Sequence, residues 1–158
     1  MVVGYIYRPG IYSTKSGVSG FKELPRPIYS FKIRHSADKA TDKVPLQDGQ
    51  FSTGFSQNAV TVSISGALGK RDEDLHFTDE EMWLLYRELM YRSMLNHNDP
   101  QFEFFVMYDP IGGVYQKFKS GSGENLEVEL GDDDSHLFKY DLNMFFDNPV
   151  IYDTAPGA

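Results

Sequence analysis

The sequence predicts a mainly β chain of the α+β class: an antiparallel β-sandwich or barrel-like sheet flanked by one α-helix. Three observations predict it. Runs with an apolar residue at every second position recur from Ile28 to Phe146, only the stretch after Thr78 has helical spacing, and turn-rich segments separate the runs without any repeated βαβ unit. A length of 158 residues suits one domain with a real core, and 41% apolar with 15% aromatic residues excludes intrinsic disorder.

Residues 1–27 carry Gly4, Gly10, Gly17 and Gly20 with Pro9, Pro25 and Pro27, a punctuation that excludes a packed helix. The interleaved Tyr5, Tyr7, Ile11, Tyr12 and Phe21 suggest an extended N-terminal arm that docks on its own domain or on a neighbour. The domain proper is expected over 28–153. It opens on Ile28 to His35, with Tyr29, Phe31 and Ile33 on one face of a strand and Ser30, Lys32 and Arg34 on the other. Ser36 to Asn58 is polar and turn-rich and reads as a long loop, a kind of segment that usually serves an interaction. A second strand follows over Ala59 to Leu68, with Val60, Val62 and Ile64 inward and Thr61, Ser63 and Ser65 outward.

Thr78 with Glu81 three residues on is a capping box, and acidic residues suit the positive end of a helix dipole, so the helix is placed at about 79–96. Met82, Leu85, Tyr86, Leu89 and Met90 form its buried stripe, Trp83 lies on the flank, and Arg87, Glu88 and Arg92 face away. Beyond Pro100 the pattern is a β-meander. Phe102, Phe104, Val106 and Tyr108 make one stripe, and Asp109 to Gly113 is a turn. Val114 to Phe118 returns, Gly121-Ser122-Gly123 reverses the chain again, and Leu126, Val128 and Leu130 alternate with Glu127 and Glu129. His136 to Phe146 is the longest strand, and residues 154–158 read as a mobile tail.

Chemistry is sparse in this pattern. Zero cysteines remove disulfides, thiolate nucleophiles and cysteine-ligated metals, so no cofactor is expected. His35, His76, His97 and His136 are scattered without metal-ligand spacing, and Asp132 to Asp134 lack the spaced ladder of a calcium loop. Phosphate-binding glycine loops and a nucleophile elbow are missing. Glu127 and Glu129 as a glycosidase pair is outweighed by the plainer reading of two solvated strand residues. Fifteen basic against 23 acidic residues leave a net charge of −8, which argues against tight, sequence-independent binding of duplex DNA. No apolar run approaches the roughly 20 residues of a membrane span, so no membrane partner is expected. An enzyme is not indicated. A binding module of β-sandwich type, monomeric and recognising a glycan or peptide through Trp83, Tyr108 and Tyr115, is an alternative.

The order of AVTVSISGAL, FTDEEMWLLYRELMYRSML, FEFFVMYD, VYQKFKSGS, LEVEL and YDLNMFFDNPVIYD resembles the phage distal tail proteins and their relatives among tail-tube and baseplate-hub proteins, from Ile28 to Tyr152. The resemblance implies a tail-tube-like fold in a ring, commonly a hexamer, whose subunit sheets line a channel for DNA. It also implies a virion component, assembled in the host cytoplasm, whose partners are itself and neighbouring tail-tube, hub or tail-tip proteins. A lumen that DNA traverses should be acidic or neutral. Candidate channel-lining residues are therefore Thr61, Ser63, Ser65, Glu127, Glu129, Asp141 and Asn143, on polar faces of predicted strands. Candidates for contact between copies are Tyr5, Tyr7, Ile11, Tyr12, Phe21, Phe51 and Phe55.

Overall fold

Alternating apolar strands that bury one face produce a single large antiparallel sheet in the computed structural model, which describes residues 7–25, 28–42, 51–68, 79–130 and 138–158. In chain order the strands are β1 (Tyr7–Ser13), β2 (Gly20–Glu23), β3 (Ile28–Arg34), β4 (Ala37–Asp42), β5 (Phe51–Gln57) and β6 (Val60–Leu68). Helix α1 (Asp79–Ser93) follows, then β7 (Phe102–Asp109), β8 (Val114–Leu130), β9 (Phe138–Phe146) and β10 (Ile151–Tyr152). The lateral order is β2-β1-β7-β8-β9-β6-β3, with β10 beside β8, while β4 and β5 pair separately. As the sequence predicts, the class is mainly β, with one helix among the described residues. The sheet is not closed, since its path ends at β2 and β3.

It folds over on itself instead. Phe31 of β3 meets Phe104 of β7 at 5.9 Å between ring centroids although three strands lie between them in the sheet, and His35 lies 6.1 Å from Phe118. The core fills the space between the two halves. Val60, Val62 and Ile64 of β6 stand opposite Phe146, Met144 and Leu142 of β9, all fully buried, with Phe102, Phe104 and Phe118 from the other half. Helix α1 adds Met82 and Leu89, two turns apart on one face. Burying such side chains contributes roughly 1.5–3 kcal/mol each, against the entropy of ordering them.

Several expectations change. Residues 7–25 form the β1–β2 hairpin, and β1 pairs with β7, so of the two docking places open to this stretch it takes its own domain, as part of the sheet. Within Ser36 to Asn58, a loop by composition, β4 and β5 form a ribbon that prolongs the β3–β6 pair: Arg34 faces Thr61, then Ala37 faces Gln57. This ribbon runs past the end of β9, whose last partner on β6 is Val60. β4 reads ADKATD and shows no apolar alternation, so its strand character comes from the ladder it continues.

The reversal expected at Gly121-Ser122-Gly123 does not occur, because β8 runs unbroken for 17 residues. Its glycines supply space. A Cβ at Gly121 would lie 2.5 Å from the Phe146 ring and 2.7 Å from Phe102, and one at Gly123 would strike the Ser93 carbonyl. Ser120, at φ 60, marks the kink where β8 passes from β7 to β9.

Smaller shifts follow from bulges and ends. A register shift between Phe105 and Met107 turns Tyr108 away from the core face of Phe102 and Phe104, toward Phe105 on the reverse face. Tyr29 sits in another shift and is 60% exposed. The helix ends at Ser93, short of residue 96, and Thr78 lies outside the described residues. Arg92 is buried, donating to the Gly20 carbonyl at 2.7 Å and to Glu88 at 3.2 Å. Residues 154–158 fold back on the sheet and are held there by hydrogen bonds.

Candidate functional site

Side chains alternate across a strand, so residues paired in register share a face. Ser65 faces Asp141, and Asp141 faces Glu127; Ser63 faces Asn143, which faces Asn125; Lys139 faces Glu129. The Ser65 hydroxyl donates to the Asp141 carboxylate. Thr61, two residues from Ser63, completes the set. All seven candidate channel residues, Thr61, Ser63, Ser65, Glu127, Glu129, Asp141 and Asn143, thus lie on one surface, the side of β6, β9 and the second half of β8 turned away from the core.

β3 extends this surface. Ser30 faces Ser65, Lys32 faces Ser63 and Arg34 faces Thr61. The sequence shows these residues on the polar side of their strand but not which strand they border, and the lateral order supplies that. The completed face carries three cations, Lys32, Arg34 and Lys139, against three carboxylates, Glu127, Glu129 and Asp141, with Phe145 as an apolar member beside Thr61. A polyanion finds no concentration of positive charge on it. Glu127 and Glu129 are exposed on this face, and no group of acidic residues or histidines that could hold a metal occurs among the described residues. No described helix is long and apolar enough to cross a membrane.

The candidate contact residues are not gathered in one place. Tyr5 lies outside the described residues, and Tyr7 is 38% exposed at the start of β1. Ile11 is a core residue at 1% exposure. Tyr12 is half-buried beside Gly157. Phe21 stacks on Tyr108 at 3.8 Å under the Arg8 guanidinium. Phe51 and Phe55 fall on β5, opposite Asp42 and Lys39. The trio of the alternative reading is also divided. Tyr108 and Tyr115 join Phe105 on the reverse face of the sheet, whereas Trp83 is exposed on the helix, with Tyr86 as its ring neighbour.

One polar constellation has no counterpart in the sequence reading. Lys117 is fully buried and bonds Glu103 at 2.7 Å, the Ala155 carbonyl at 2.7 Å and the Ala158 main-chain oxygen at 3.1 Å. Glu103 in turn accepts from the Gly157 amide at 2.7 Å. Every donor of the ammonium can be satisfied, which is what permits its burial. Sequence places Lys117 on the outer side of an amphipathic strand, and the segment that covers it arrives from 38 residues away.

No family model matches the chain, and no curated protein does. Solved structures do. A chain of the tail of an empty GTA particle, computed with C6 symmetry, is 12% identical with a TM-score of 0.53, over 93% of this chain and 96% of that one. SPP1 Dit, a protein of the hub adsorption apparatus in phages infecting Gram-positive hosts, is 16% identical with a TM-score of 0.54 over 90% of this chain, which spans 52% of the Dit chain. The PVC sheath/tube terminator of an extracellular contractile injection system, in its extended state, is 9% identical with a TM-score of 0.52, over 96% and 98%. The fold is therefore that of tail and tail-hub proteins.

Proposed function

We propose that this chain is a structural, non-catalytic component of a phage-type tail, in which copies close into a ring around a channel that DNA traverses without specific binding. The observation that carries the reading is the charge-balanced polar face of β3, β6, β9 and β8, opposite the core in a fold shared with a protein from a C6-symmetric tail. Six copies with this face inward would line a lumen that neither holds nor repels DNA strongly. The β4–β5 ribbon with Phe51 and Phe55, and Tyr7 at the outer end of β1, are the proposed contacts to adjoining copies or to tube, hub or tip proteins. The protein belongs, on this reading, to the virion, with assembly in the host cytoplasm.

Native mass spectrometry across a concentration series, with negative-stain images of the same samples, tests it. Closed rings of defined number with a central hole are expected. A monomer at every concentration, still monomeric beside tail-tube proteins from its own gene neighbourhood, would overturn the reading in favour of a monomeric binding module.

A further inference from the structure

Among the described residues, the polar half of the sheet has two unpaired edges. β3 pairs with β6 alone, and β8 from Ser122 to Leu130 pairs with β9 alone among the described residues, because β7 leaves β8 at Gly121, opposite Phe102. At Gly121 both β7 and β9 are paired, so they occupy opposite flanks of β8 and the flank that β7 vacates is open. Open edges of this length invite another strand.

We propose that neighbouring copies join edge to edge, β3 of one in antiparallel register with residues 122–130 of β8 of the next, Lys32 and Arg34 lying against Glu127 and Glu129. This deepens the ring reading and rests on it. Direction is the first argument. β3, β6, β9 and β8 alternate, each antiparallel to its neighbour, so the first and last strands run oppositely. Copies related by rotation about one axis then present β3 antiparallel to the preceding β8, and the alternation continues unbroken round a ring of any order.

Charge is the second. Lys32 and Arg34 on one edge and Glu127 and Glu129 on the other are all exposed, share one face, and have neither an ion-pair nor a hydrogen-bond partner within the described chain. Opposite charges across an antiparallel pair attract, and like charges repel. Within one copy Glu127 is level with Ser30. A shift of four residues, about 13 Å at about 3.3 Å per residue, places Arg34 opposite Glu127 and Lys32 opposite Glu129. Closing a sheet into a barrel requires a stagger of this kind.

Two charge reversals test the pairing. Protein with Lys32→Glu and Arg34→Glu carries acid on both edges, and protein with Glu127→Lys and Glu129→Lys carries base on both. Each alone is expected to need at least a tenfold higher concentration than wild type to form rings, as read by native mass spectrometry. Mixed, they are expected to assemble again in alternation, giving rings with equal numbers of the two chains, because each acidic edge now meets a basic one. Wild-type rings with either reversed protein assembling as wild type does, or with the mixture staying apart, would overturn the pairing and leave the ring intact; a monomeric wild type would overturn both. Should a reversal prevent folding, Arg34→Cys and Glu127→Cys proteins can be mixed, since the chain has no cysteine of its own. A disulfide between chains is expected, and assembled rings without it would overturn the pairing.

Discussion

Lys117 decides how the last residues of the chain are held. Its ammonium is fully buried, over the Phe105 ring at 5.4 Å, and bonded to Glu103 and to two main-chain oxygens of the 155–158 turn. Removing one partner of a buried ion pair leaves the other charge uncompensated, at about 3–5 kcal/mol. Lys117→Met is accordingly expected to lower the unfolding free energy by about that amount in urea titration. A cost within about 0.5 kcal/mol, the range of ordinary surface substitutions, would show that the pair is not buried in solution. Tyr140 gives a second residue-level test. Burial raises its phenol well above the ordinary value, and its hydroxyl donates to the Pro25 carbonyl at 3.0 Å. A group whose pKa is raised by folding contributes stability that is complete below its unfolded value, about 10, and is lost as pH climbs beyond it. The wild type should therefore lose about 1 kcal/mol more than Tyr140→Phe between about pH 10 and about pH 11, measured by denaturant midpoint. Equal losses in the two proteins would contradict a buried neutral phenol. Lys117 does not announce itself in sequence, because the segment that covers it is 38 residues away; Tyr140 lies on the alternating apolar face of its strand, and only the partner of its hydroxyl is distant in the chain.

At the scale of elements, the paired strands β6 and β9 and the helix were legible because each carries its own periodicity. Val60, Val62 and Ile64, or Leu142, Met144 and Phe146, alternate without help from context. β4 and the middle of β8 were not. β4 has no large apolar residue and is a strand only because β3 and β6 hand on their ladder, while Gly121-Ser122-Gly123 has the composition of a turn yet serves as a strand passing beneath two aromatic rings and the end of α1. This difference has a measurable consequence. If the glycines supplied a reversal, alanine at 121 would disturb only a loop; in an unbroken β8 its Cβ meets Phe146 and Phe102. Overpacking of this kind costs about 1–3 kcal/mol. Gly121→Ala is expected to lower the thermal midpoint accordingly, and an unchanged midpoint would argue for a turn.

For the whole molecule, the polar residues of each strand were readable but their gathering into one face was not, since that depends on a lateral order in which β8 lies beside β9 and β6 beside β3. Thr61, Asp141 and Glu127 belong together only through pairings that span the chain. The same order brings Lys32 and Arg34 to one edge and leaves Glu127 and Glu129 on the other, which turns a net-acidic chain into one with a neutral polar face. Exposed charge pairs weaken as salt shortens the Debye length from about 8 Å at physiological ionic strength to about 3 Å at 1 M. Ring assembly should therefore need a higher protein concentration at 1 M salt than at about 0.1 M, and the reverse order would point to an apolar contact instead. The polar face is expected to point toward the ring axis, and a cryo-EM reconstruction of the assembled particle reads that direction directly. A hole bordered by Ser63, Ser65, Asp141 and Asn143, with helix α1 away from the axis, is expected; a lumen lined by the helix, or by Phe21, Tyr108 and Tyr115 on the reverse face, would contradict that orientation.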